Sequence, residues 1–288
     1  MKKIFLLSIS ATLALFSIMS CEKELDISQL QFSEKLVVNL LATDNDSIGV
    51  TVFRSLDIFD SVGKPQIENA KVFITDNKGV TTKLRFDLVS QTYRPNWIPQ
   101  AGVTYTLSVS WGNLGPVTST FTIPKLNTIG KAIWKDSTGK DADGFLTGTI
   151  SFTIKDDPNA RNYYEIGLFR YDEFSSEPWL NLPISPENTD LINNLILNKE
   201  GALLVDDGKF NGQNKLFKFK TPANTKGTTY KYLVVIKNLS EEYYRYFKSI
   251  ENYAQQQGPF SEPSAVFTNI KGGLGICAGA SLVKDTIR

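Results

Sequence analysis

The chain of 288 residues carries 31 Lys and Arg against 30 Asp and Glu, so no basic stripe is available to follow a phosphate backbone and no nucleic-acid partner is expected. It contains no histidine, which removes Ser-His-Asp and Cys-His nucleophile systems, histidine zinc sites and histidine haem ligation together. At roughly 100–200 residues per domain the length suggests about two domains, with a core large enough to dispense with disulfides.

Lys2 and Lys3 precede an apolar stretch from Ile4 to Met19, broken only by Ser8, Ser10, Thr12 and Ser17, and Ile18-Met19-Ser20-Cys21 closes it. Residues 1–20 read as a bacterial lipoprotein signal peptide and Cys21 as the lipidated residue. At about 0.8 kcal/mol per buried CH₂, two or three acyl chains on Cys21 hold a protein on a membrane where one chain holds it only reversibly. A transmembrane helix is the first alternative, but the run is shorter than the ~20 residues of a span and carries several hydroxyls. The second is an ordinary secretory signal with Cys21 incidental. If Cys21 is lipidated, Cys277 has no partner within the chain.

Residues 21–33 are expected to form a polar, lipidated tether. From Glu34 the chain turns to short alternating or β-branched runs, which is the pattern of half-buried antiparallel strands. Strands are expected near Lys35–Leu41, Ser47–Arg54, Ala70–Thr75, Thr82–Leu88, Thr104–Trp111 and Val117–Ile123, separated by turn formers such as Asp76-Asn77-Lys78-Gly79. The fold class expected is mainly β, with residues 34–124 forming an immunoglobulin-like β-sandwich. Val103, Tyr105, Leu107 and Val109 fall on one face and are core positions.

Residues 125–288 are expected to form a second β-rich, sandwich-like domain carrying a helix near 240–256. One strand is expected around Ala132–Lys135. Asp141-Ala142-Asp143-Gly144 is half of a calcium-loop pattern without the remaining ligands, so a solvated turn is expected and no metal or other cofactor. Ile150, Phe152 and Ile154 share a face, and Asn162–Tyr171 completes a hairpin. Asn188–Leu197 has the i, i+4 spacing of a short helix. Strands follow at Leu203, at Asn214–Lys220 and at Thr229–Lys237.

Ser240 caps the longer helix, Glu241 and Glu242 suit its positive end, and Gly258-Pro259 stops it. Tyr243, Phe247, Ile250 and Ala254 form its apolar stripe; Tyr244, Tyr246 and Tyr253 widen it. Tyrosine combines an apolar body with a polar tip, so Tyr243, Tyr244, Tyr246 and Tyr253 are candidates for a binding or partner face, against the simpler reading of a helix lying flat on a sheet. No catalytic residues are assigned. Paired carboxylates or a Ser-Lys arrangement are the remaining enzyme chemistries, and the adjacent Asp206 and Asp207 point apart instead of converging on one bond.

The segments Asp206-Asp207-Gly208-Lys209-Phe210-Asn211-Gly212-Gln213, Leu239-Ser240-Glu241-Glu242-Tyr243-Tyr244-Arg245-Tyr246, Gly258-Pro259-Phe260-Ser261-Glu262-Pro263 and Thr268-Asn269-Ile270-Lys271-Gly272-Gly273-Leu274-Gly275-Ile276 come in order. Together with Cys21-Glu22-Lys23-Glu24 and Lys35-Leu36-Val37-Val38-Asn39, they resemble domain-of-unknown-function family 4249 (DUF4249) of Bacteroidota lipoproteins. Cys277 departs from the aromatic or small residue more usual there, and residues 281–288 extend past the usual glycine-rich end. Asn211-Gly212 and Gly272-Gly273 supply backbone with φ > 0, and Asn269 can bond a nearby turn, so these motifs read as architecture. The resemblance implies a surface-exposed outer-membrane lipoprotein, a non-catalytic accessory subunit of a TonB-dependent receptor barrel that aids nutrient capture or uptake. Glu22-Lys23-Glu24-Leu25-Asp26 resembles the acid-rich signal for export to the outer face. The alternative is a stand-alone adhesin or envelope-organising module.

Overall fold

The computed structural model describes residues 32–57, 60, 66–192, 196–198, 200–224, 230–255 and 264–288. The expected signal peptide, Cys21, most of the tether and the Gly258-Pro259 stop lie outside the described residues. In chain order the first strands are β1 (Leu36–Thr43), β2 (Val50–Arg54), β3 (Lys71–Asp76), β4 (Thr81–Lys83), β5 (Arg85–Asp87), β6 (Thr92–Arg94), β7 (Thr104–Trp111) and β8 (Leu114–Thr122). There follow β9 (Thr128–Ile129), β10 (Ile133–Lys140), β11 (Leu146–Lys155), β12 (Tyr163–Tyr171), β13 (Trp179–Asn181), the one-turn helix α1 (Thr189–Ile192), β14 (Ile196–Leu197) and β15 (Leu203–Asp206). The last elements are β16 (Asn214–Pro222), β17 (Tyr232–Leu239), the helix α2 (Glu241–Gln255) and β18 (Leu274–Ile287).

The molecule is mainly β, and a ten-stranded sheet in the order β14-β15-β12-β17-β18-β1-β2-β6-β5 organises it, with β13 paired to β12 beside β15. Two four-stranded sheets lie apart from it in the pairing: β4-β3-β7-β8, and β10-β11-β16 with β9 on β11. The first core joins Val38, Val50 and Tyr93 of the large sheet to Val72, Leu107 and Phe121 of the β3-β7-β8 sheet. A second core joins Tyr164, Ile166, Val234 and Ile236 to Ile150, Phe152, Phe217 and Phe219 of the β11-β16 sheet. Each such side chain contributes about 1.5–3 kcal/mol when fully buried, which is what holds sheet on sheet. The large sheet runs across Pro124, where a boundary is expected, and the first core takes in Ile270 and Cys277 from beyond it.

β18 carries that continuity, and no strand is expected there from the sequence. It pairs parallel with β1 from Val37↔Leu274 to Thr43↔Ala280, and antiparallel with β17 from Leu239↔Ala280 to Tyr232↔Ile287. Its Cys277 enters the first core and its Ile287 the second. Gly279 makes this packing possible, since a Cβ there would stand 2.3 Å from the Thr122 carbonyl oxygen. Asn269 clamps the strand from outside, donating to the Cys277 carbonyl at 2.7 Å and accepting from its N–H at 2.9 Å.

Two further expectations need correction. Of the helix expected over Asn188–Leu197, α1 is what the described residues form, and Ile196–Leu197 instead makes β14 against Leu203 and Leu204. The strand expected over Thr82–Leu88 breaks at Leu84, which drops into the first core and separates β4 from β5.

Candidate functional site

Along β12, side chains alternate between the second core and the opposite face of the large sheet. Tyr163, Glu165, Gly167 and Phe169 take the opposite face, across from Leu239, Lys237, Val235 and Leu233 of β17. Helix α2 covers one end of this face. Its N-terminus is fixed by Ser240, whose N–H donates to the Gly279 carbonyl at 2.8 Å, and Tyr244 stacks on Tyr163 with ring centres 4.7 Å apart. Beyond the helix the short β13 extends the sheet along the edge of β12, pairing Asn181 with Phe169 and Trp179 with Tyr171.

The result is a groove of about 410 Å³, with Gly167, Phe169, Trp179 and Val235 as its apolar lining and Glu177 and Glu200 at its mouth. A volume of this size lies within the ~300–1,000 Å³ of small-ligand sites. A second depression of about 750 Å³ is lined by Lys131, Trp134, Lys231 and Arg288.

The groove's floor is charged. Lys237 Nζ lies 2.5 Å from Glu165 Oε1, and Asn198 Nδ2 donates to the other carboxylate oxygen at 3.2 Å. Glu165 is only 4% exposed. Asn198 is itself fixed, accepting from the Glu200 and Ala202 N–H groups at 3.0 and 2.9 Å in the turn between β14 and β15. Burial works against the charge on Lys237, but the neighbouring Tyr243 and Glu165 outweigh it and push its pKa up to about 12. Such a lysine is a hydrogen-bond donor at neutral pH, not a base or a nucleophile. Burial and the Glu165 carboxylate likewise push Tyr243 up to about 12.

These shifts have a consequence in alkali. Lys237 is raised above its ordinary 10.5, so its contribution is complete below that pH and is lost as pH rises through about 12. Tyr243 keeps its proton in the fold while the unfolded chain releases it near 10, which also favours unfolding above that pH. Thermal melts followed by circular dichroism should therefore show the midpoint falling between about pH 10 and 12, and a flat profile there would contradict this geometry.

The four tyrosines considered from the sequence do not form one exposed face. Tyr243 and Tyr244 are buried on the sheet. The Tyr243 hydroxyl lies 3.5 Å from Lys237 Nζ, and the Tyr244 hydroxyl donates to Asp206 at 3.2 Å. Tyr246 is half-buried against Phe247, and Tyr253 is 48% exposed. None of the four lines the groove, and Tyr243 bears on it only through Lys237. Sequence reasoning missed Glu165, Lys237, Phe169 and Trp179; the available signal was one acid in β12 and one base in β17.

The motif residues serve the architecture. Asp206 accepts from the Gly208 N–H at 2.9 Å, whereas Asp207 turns inward to accept from the Asn162 N–H at 2.6 Å, so the two carboxylates do point apart. Burial raises the Asp207 pKa. Asp141 accepts from the N–H groups of Asp143 and Phe145 at 3.1 and 2.8 Å, which makes that segment an Asx turn. Among the described residues no group of three or more Asp, Glu or Cys is placed to hold a metal ion.

Comparison with known proteins finds one family: residues 22–286 match the description "Domain of unknown function (DUF4249)". None of the curated proteins matches the chain. Among solved structures, the crystal structure of a mutant Salmonella alpha-2-macroglobulin is similar at 10% identity with a TM-score of 0.24, over 89% of this chain and 15% of that one. At that score the likeness carries no argument. The family match runs from before β1 through the groove and into the last residues of β18, and the chain belongs to the DUF4249 family.

Proposed function

We propose that this protein is a lipid-anchored outer-membrane protein facing the cell exterior, a non-catalytic accessory subunit that helps a TonB-dependent transporter capture its nutrient. The observation that carries the anchoring is the run from Lys2 to Cys21 followed at once by Glu22-Lys23-Glu24-Leu25-Asp26. No helix among the described residues is long and apolar enough to cross a membrane. Capture is supported by the groove beside α2, whose polar groups are held by fixed partners and whose lysine stays protonated. Such a surface is organised to hold a ligand.

Cys21→Ser should leave the folded part intact and move it from the membrane fraction to the soluble one. Retention on outer membranes in high salt would show that lipid is not the main anchor. For the partner, the lipidated protein is recovered from outer membranes in mild detergent and its companions are identified by mass spectrometry. A stoichiometric receptor barrel supports the transporter reading. Recovery of the folded protein alone sinks it and favours the adhesin.

A further inference from the structure

We infer that the groove beside α2 is a binding site for a neutral saccharide, an inference that rests on the capture reading above and names its ligand class. Charge balance decides first. Glu165 and Lys237 neutralise each other on the floor at 2.5 Å, and no ion pair reaches Glu177 or Glu200 among the described residues. An anion entering the groove therefore meets three carboxylates and one lysine whose charge is already engaged. A cation reaching the floor meets the Lys237 ammonium.

A hydroxyl suits both signs. The Lys237 ammonium has three N–H donors, one directed to Glu165 and one to Tyr243, and its side chain is 21% exposed at the groove floor. A ligand hydroxyl can accept from the third and donate to the carboxylates of Glu177 or Glu200. Trp179 and Phe169 supply apolar walls, against which the C–H face of a sugar ring packs. Gly167 keeps the floor low, and a Cβ there would stand 3.1 Å from the Phe169 ring. Donors and acceptors side by side over an aromatic wall, with carboxylates that repel an anion and a lysine on the floor that repels a cation, describe a polyhydroxylated neutral ligand.

The test uses the full-length lipidated protein in a detergent without a sugar headgroup. It is applied to an array of neutral oligosaccharides, with uronic-acid-bearing glycans and Lys- and Arg-containing peptides alongside. Neutral glycans should bind, and Trp179→Ala should weaken that binding about tenfold at a temperature where its own melt shows it folded. Glu200→Gln keeps the shape, removes the charged acceptor and should weaken it as well. The inference falls if no neutral glycan binds, if only charged probes bind, or if neutral-glycan binding ignores both variants. The barrel pull-down is read separately. A barrel still recovered with Trp179→Ala protein leaves the transporter reading standing even when the saccharide fails.

Discussion

Gly275→Ala is expected to cost roughly 3–5 kcal/mol, a large share of the stability of an ordinary domain. Two effects add. Gly275 sits at φ +107, where only glycine is at ease, and an added Cβ would stand 2.1 Å from the Val38 carbonyl oxygen of β1. That oxygen belongs to the parallel β1–β18 seam, so it cannot swing aside as a side-chain tip could. Gly79→Ala is the internal control: its φ is +83 but nothing lies within 4 Å of the added Cβ, so conformational strain alone remains, about 1 kcal/mol. Urea denaturation of both variants in the Cys21→Ser background measures the difference. The thiol of Cys277, fully buried on β18, supplies a second readout, since labelling should accelerate when the seam opens. Equal midpoints for the two variants would mean that β1 and β18 do not approach as described.

The same strand explains what could be read from the sequence. β1, β3 and β7 announce themselves because each has one face on a core and one toward water, so Leu36, Val38 and Leu40 alternate with less buried neighbours. Helix α2 is legible from the Ser240 cap, the two acids that follow it and the spacing of Tyr243 and Phe247. β18 is not legible. Ile276 to Ser281 are buried without a break, so no alternation survives, and Gly275 and Gly279 look like loop residues when their purpose is close backbone approach. Its parallel partner β1 lies far away in the chain, and no local pattern encodes that pairing. The groove is harder still, because β12, β13, β17 and the β14–β15 turn each contribute only two or three of its residues. A lone Glu165 and a lone Lys237 become a signal only once the register sets them opposite each other.

Lys237→Met should therefore destabilise the fold by about 3–5 kcal/mol, because it leaves the Glu165 carboxylate buried with only Asn198 as a partner. Glu165→Leu should cost less, since Lys237 is partly exposed and can extend its ammonium into the groove. The double variant should return to within about 1 kcal/mol of the parent, because an apolar pair avoids the desolvation that the ion pair bears. Urea midpoints of the four proteins give the coupling directly. If both single variants cost the same and add in the double, Glu165 and Lys237 are independent surface charges and the described floor is wrong. If the double is stable but no longer retains a neutral glycan on the array, the ion pair is kept for what it presents to the groove. The stability of the sheet would not need it.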